Sequence, residues 1–193
     1  MKILWTGILL LIVTACSAEE NKPSEMEIFM EESNRQISNL AMSLKTHLVA
    51  AMQEGGPGKA IEVCNVEAPI ITNEINSQSD VQIKRTSLKI RNPNNAPDEW
   101  EEKVLTDFED QLKNGISIDK LNYSEVSEDN GVKTYRMMRA IPVGNVCVVC
   151  HGPKDLLPDV VQKELAAKYP NDQATGYSVG GLRGAFSLTK TIQ

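Results

Sequence analysis

Cys147, Cys150 and His151 stand at a spacing that has a well-defined chemical use. In C-x-x-C-H the two thiols add across the two vinyl groups of one haem, and the adjoining His151 is close enough to supply an axial imidazole to the iron. Two other chemistries draw on the same residue types: a redox dithiol, and half of a zinc site with a histidine beside it. The immediate histidine favours a single covalent haem c over both. With 2 histidines in the whole chain, multihaem wires built on paired imidazoles are excluded.

The address of the chain supports the same reading. Residues 1–15 have a positive start at Lys2, an apolar run Ile8-Leu9-Leu10-Leu11-Ile12-Val13 and small residues before Cys16, the pattern of a secretory signal peptide. The run is shorter than the ~20 apolar residues of a membrane span. Val13-Thr14-Ala15-Cys16 is similar to a bacterial lipobox, so Cys16 is expected to be lipidated and to become the new N-terminus. Ser17 after it favours the outer membrane by resemblance to Gram-negative lipoproteins, and residues 16–23 read as a polar tether. The expected product is a periplasm-facing lipoprotein. Residues 24–193 suffice for one domain. The net charge of −6, with no Lys/Arg block, speaks against nucleic acid as a partner and is compatible with docking a basic redox protein.

Of the 4 cysteines, one goes to lipid and two to haem, which leaves Cys64. An unpaired thiol in an oxidising compartment calls for an explanation. Ile61, Cys64 and Ala68 share a helix face by their spacing, so Cys64 is expected to point inward among apolar neighbours. There it is either a small core hydrophobe or a sulfur ligand to the iron. His47 presents a similar choice. Met26, Met30, Ser33, Ile37, Leu40, Leu44, His47 and Ala51 recur in steps of three and four, predicting a long helix over 24–53. On that stripe His47 is a core or seam histidine, or a second iron ligand.

The elements that must position these residues follow in order. Gly55-Gly56-Pro57-Gly58 ends the first helix and Pro57 starts the next. Residues 81–87 alternate and are β-branched, predicting a strand. Residues 91–97 form a loop, and 97–114 a helix with Trp100, Val104, Leu105, Phe108 and Leu112 on its buried side. Strands follow over 123–127 and 132–141, joined at Asn130-Gly131, a hairpin signal. The pleat sends Met137 and Met138 to opposite sides, one inward and one outward, the inward one packing in the core or ligating iron. A helix over 158–169 and a strand over 184–189 complete the chain. Hairpin links and leading helices give an α+β fold with an antiparallel sheet.

Several of these stretches together resemble the bacterial PAS-like haem c domains, a family first catalogued as a domain of unknown function and found alone or fused to signalling proteins. They are Ala60 to Cys64 with Ala68-Pro69, residues 84–97 with Arg91-Asn92-Pro93-Asn94-Asn95-Ala96-Pro97, residues 147–152, Thr175-Gly176-Tyr177, and residues 182–187. The resemblance covers most of the mature chain. It implies a PAS-like sheet around one covalent haem c, with His151 and Cys64 as the axial ligands. An acidic residue of the family's Gly-Asp pattern is missing from residues 180–184.

Two functions fit such a protein. A thiolate favours ferric iron and leaves more readily on reduction, so a Cys/His haem suits a redox or small-gas sensor that signals through a separate protein. A single-haem electron carrier would instead keep both ligands in both states. No acid-base group beside a substrate pocket is identifiable, so an enzyme is not expected. Arg85, Arg91, Arg136 and Arg139 are the basic residues nearest the expected haem walls, and Arg85 or Arg91 is expected to hold a haem propionate.

Overall fold

The computed structural model describes residues 22–192. The leader, Cys16 and nearly all of the tether therefore lie outside the described residues. Among those described, no helix is long and apolar enough to cross a membrane.

Helix α1 (Glu25–Asn76) begins at a capping box: Ser24 Oγ accepts from the Glu27 N–H at 3.2 Å, and Glu27 Oε2 accepts from the Ser24 N–H at 2.7 Å. Its one non-helical residue is Gly56, at φ 70° and ψ −162°, followed by Pro57. A side chain other than glycine's is strained at that φ. The chain folds back there, so that Ala51 packs on Ala60 and Val63, and Ile71 joins Ile37 and Leu40. Ser79 donates to Glu32 at 2.9 Å at the far end of the pair. α1 is thus two arms, 25–55 and 57–76, as the Gly-Gly-Pro-Gly sequence predicts.

Four strands, β1 (Gln82–Thr86), β2 (Asn122–Asp129), β3 (Val132–Pro142) and β4 (Leu182–Ile192), form one antiparallel sheet in the order β1-β4-β3-β2. Asn130 (φ 51°) and Gly131 (φ 80°) make the β2–β3 turn, as Asn-Gly dictates. Both faces of the sheet are covered. The arms of α1 bury Val81, Ile83, Tyr135, Met137 and Leu188 on one side. Helix α2 (Glu99–Lys113), capped by Asp98 and Glu101, buries Met138, Ala140 and Ala185 with Val104, Leu105 and Phe108 on the other. Trp100 and Leu112 of α2 are only partly buried.

This corrects the expectation for the methionine pair. The pleat does send Met137 and Met138 to opposite faces, but with a layer on each face both are buried, at 1% and 0% exposure. Both are core residues.

His47 also departs from expectation. It is exposed, and its Nδ1 lies 2.8 Å from the Ser43 carbonyl one turn back. Near the kink the first arm contacts its second arm through Leu48, Ala51 and Met52, so the buried stripe has moved off the 40-44-47 line.

Past β3 come a one-turn helix α3 (Val148–His151) and helix α4 (Asp159–Lys168). α4 packs Val161 and Leu165, with Leu157 and Tyr169, on Ile61 of the second arm, and Cys150 borders that cluster. The expected α+β architecture, with a long N-terminal helix and a PAS-like antiparallel sheet, is the one observed.

Candidate functional site

At one end of the sheet the segments 85–91, 147–152, 172–177 and 183–184 meet. Each is placed by a backbone contact that its sequence permits. In α3, the Cys147 carbonyl accepts from the N–H of Cys150 (3.2 Å) and of His151 (2.9 Å). One helical turn sets the two thiols on a common side. Both are free. Gly152 ends the turn where a Cβ would stand 2.6 Å from the Val148 carbonyl oxygen, so a larger residue would push the His151 backbone away. The segment 172–177 then runs beside it: Tyr177 N–H donates to the His151 carbonyl (2.9 Å) and Gly176 N–H to that of Gly152 (2.8 Å).

The His151 ring is fixed from outside. Its Nδ1 lies 2.7 Å from the Ala174 carbonyl, an acceptor only, so Nδ1 carries the proton and Nε2 keeps its lone pair. Burial, then the charges of Arg183 and Arg91, hold the imidazole pKa down at about 3, against an ordinary 6.5. The ring is neutral at any physiological pH, the form that binds a metal.

The Ala174 carbonyl is itself held. Arg91 forms a fork on Asp172, with Nε to Oδ1 at 3.1 Å and Nη2 to Oδ2 at 3.0 Å. It also donates to the carbonyls of Cys150 at 2.6 Å and Ala174 at 3.3 Å. Asp172 Oδ1 accepts from the Ala174 N–H at 2.9 Å. Arg91 thus ties the haem-type motif to the segment that orients its histidine. Sequence reasoning passed over Asp172 and Ala174, which carry no motif and matter only through this network.

Cys64 arrives from the second arm of α1. Ile61 and Ala68 are buried as their spacing predicts, but Cys64 is not enclosed with them. Its thiol is open to solvent on one side and crowded by protein on the other. The crowding pushes its pKa up, while the charges of Arg85 and Arg91 pull it down. Cys64 also bears on Cys150, whose thiol is raised by burial first and by Cys64 among its charged neighbours. The expectation of an apolar core position is therefore corrected: Cys64 lies near Cys150 of the C-x-x-C-H turn and within the field of Arg85 and Arg91, which line a cationic cleft.

That cleft, of about 140 Å³, is lined by Arg85, Arg91, His151 and Arg183 together with Ser87 and Ile141. Arg183, which sequence reasoning did not single out, enters by a β-bulge. The β3–β4 register steps from Ile141↔Gly184 to Pro142↔Leu182 and leaves Arg183 as the extra residue. Gly184 beside it allows the close approach of β4 to β1, for a Cβ there would lie 2.2 Å from the Thr86 carbonyl oxygen. Arg136 lies elsewhere, over the Trp100 ring at 4.0 Å and paired with Asp98.

The Tll0287-like family model matches residues 17–190. The chain belongs to the Tll0287-like family. Among solved structures, the crystal structure of the cyanobacterial heme-protein Tll0287 matches with 25% identity and a TM-score of 0.56, covering 82% of this chain and 94% of that one. No curated protein matches. The segments that build the cleft of this Tll0287-like chain, including Arg85, Cys150, Asp172 and Arg183, all lie within the matched residues.

The residues present fit a covalently bound haem. Two free thiols stand one turn apart, the imidazole is neutral with its tautomer set, a third thiol lies within the field of Arg85 and Arg91, and the cleft walls are cationic. Among the described residues no three of His, Cys, Asp and Glu gather closely enough to hold a bare metal ion.

Proposed function

We propose that this chain is a haem-binding protein of the cell envelope, in which Cys147 and Cys150 hold one haem c and His151 and Cys64 are the axial ligands. The observation that carries the reading is that Cys64, more than eighty positions from the C-x-x-C-H turn, is brought by the second arm of α1 within electrostatic reach of Cys150 and of Arg85 and Arg91, two of the cations that line the cleft with His151. The solved relative described as a heme-protein supports the same cofactor. The signal-peptide pattern and Cys16 support export and lipid anchoring, with the domain facing the periplasm from the outer membrane.

A haem so held supplies a one-electron redox centre whose properties are set by its axial ligands. Cys64 is the ligand built to change. Crowding raises its thiol pKa on balance, against the pull of Arg85 and Arg91, so the sulfur that would donate to iron as a thiolate is one that readily takes its proton back. His151, by contrast, is locked through Ala174 and keeps one form. One fixed and one adjustable ligand suit a redox or small-gas sensor better than an electron carrier, in which both should stay fixed.

The test is spectroscopic. Protein matured in an exporting host should give a covalent pyridine haemochrome, and Cys64→Ser should convert a low-spin thiolate-type ferric spectrum to a high-spin one or another ligand set. The reduced wild type should bind carbon monoxide. An unchanged ferric spectrum in folded Cys64→Ser would remove the thiolate, and failure of the reduced protein to take up carbon monoxide would favour the electron carrier.

A further inference from the structure

The cleft has an imbalance of charge that the axial ligands do not use. Three guanidiniums, those of Arg85, Arg91 and Arg183, line it, and among the described residues no carboxylate does. The nearest acid, Asp172, is taken by Arg91 in the fork described above. Arg85 has no hydrogen-bond or carboxylate partner among the described residues, although it is only partly exposed and burial pulls its pKa down. Arg183 finds neutral partners: Nη1 donates to Ser87 Oγ at 2.9 Å and to the Lys89 carbonyl at 3.3 Å, and its guanidinium lies 5.3 Å from the Tyr177 ring centroid. Its pKa too is lowered by burial, and by repulsion from Arg91 and Arg85. Three desolvated cations against one carboxylate leave two positive charges uncompensated, a costly arrangement unless an anion completes it.

We infer that Arg85 and Arg183 form a receptor for two carboxylates, the propionates of the bound haem, while Arg91 is a structural tie that contacts neither. The sequence-based expectation for this role paired Arg85 with Arg91. The geometry favours Arg183 over Arg91, because Nε and Nη2 of Arg91 are taken up by Asp172 and by the Cys150 and Ala174 carbonyls, which leaves Nη1 but no free fork for a carboxylate. The β-bulge explains why Arg183 is available. In a regular ladder it would point along the pleat, whereas as the extra residue it turns into the cleft next to His151. A guanidinium suits a propionate because its planar fork matches a carboxylate with two parallel bonds.

This assignment rests on the haem reading, and the experiment separates the two. Wild-type protein is first matured in an exporting host and assayed as the pyridine haemochrome. If no covalent haem forms, the reading itself falls, and the propionate assignment with it. On the haem-loaded protein, Arg85→Gln and Arg183→Gln are compared with wild type by spectroelectrochemistry and by the propionate bands in resonance Raman. Each variant should lose about tenfold in preference for the reduced form, about 59 mV for one electron, because an unneutralised propionate stabilises ferric iron. The propionate bands should move, and the axial-ligand bands should not. Arg85→Lys and Arg183→Lys, which keep charge and lose the fork, should fall between, and they serve as the test where a Gln variant fails to mature. Lys133→Gln, at the opposite end of β3 and paired with Glu25, should change nothing. Wild-type potential and propionate bands in both Gln variants would overturn the inference. So would a wild-type potential that moves on adding inorganic phosphate or succinate and stops moving in Arg85→Gln, since the receptor would then hold a free anion.

Discussion

The Arg91–Asp172 fork is a place where a single atom-level change should be felt by the whole domain. Both side chains are 10% exposed, and the pair joins three segments, 85–91, 147–152 and 172–177, that no regular secondary structure connects. Removing one partner of a buried, hydrogen-bonded ion pair costs about 3–5 kcal/mol, because the other charge stays behind without compensation. At Arg91→Gln the loss includes the fork and at least one of two carbonyl contacts, and at Asp172→Asn it includes the acceptor of the Ala174 N–H or its charge partner. Against a total stability of about 5–15 kcal/mol this is a large fraction, and at about 2–4 °C per kcal/mol it lowers Tm by roughly 6–20 °C. The double variant should cost less than the sum of the singles by about 0.5–3 kcal/mol, since each single already destroys the pair. Urea denaturation of the four proteins of the cycle measures this. Lys113–Asp110, with its side chains 69% and 61% exposed, supplies the contrast: Lys113→Gln should leave the urea midpoint nearly where it was. If Arg91→Gln or Asp172→Asn is as mild as Lys113→Gln, or if the two are additive, the fork does not hold the site together.

Two more changes test the framework around it. Gly184→Ala places a methyl 2.2 Å from the Thr86 carbonyl oxygen, a backbone atom that cannot retreat without breaking the β1–β4 ladder, so it should cost about 3 kcal/mol or more in denaturant unfolding. Gly58→Ala meets only side-chain atoms, the Val160 methyl at 3.2 Å and Glu164 Cγ at 3.7 Å, and gains helix propensity, so it should be neutral or stabilising; the reverse order would refute the close-approach argument. For pH, burial alone would raise Asp98 and Glu32, but the Glu101 N–H and Arg136 lower Asp98, and Ser79 and Lys190 lower Glu32. Lowered carboxylates stabilise the fold above the ordinary carboxylate range and lose that contribution as pH falls through it. The urea midpoint should therefore be flat above about pH 5 and drop below it, less steeply in Asp98→Asn, and a midpoint that rises on acidification would contradict the assignment.

Most of the fold was readable because its signals are local. Ser24 and Asp98 with glutamates three residues on start helices, Asn130-Gly131 dictates its turn, and Gly56-Pro57 marks the fold-back of α1. What failed was anything that depends on the second layer. The outward methionine needs a bare sheet face, and only the docking of α2 removes it. The buried place for His47 needs a partner beneath the stripe, and the hairpin puts that partner under Leu48 and Ala51 instead.

The candidate site divides along the same line. Its covalent chemistry sits in five consecutive positions and is legible as spelling, whereas its electrostatics are assembled from three strands and loops that pairing alone brings together. Arg85 is central to that assembly because β1 sets it opposite Phe186 of β4, on the α1 side of the sheet and within the field of Cys64. Lys84, its neighbour in the chain, falls on the other face and pairs with the buried Glu101 at 2.8 Å. One step along the strand thus separates a cation neutralised by the protein from one that none of the described residues neutralises. The difference is a matter of pleat parity, and it becomes chemical only when the register with β4 is known. The same register, broken once at Arg183, turns a second cation toward the first. The cationic cleft is therefore a property of how β4 joins its neighbours, and any change that slips this ladder by one residue should abolish it while leaving Cys147, Cys150 and His151 untouched.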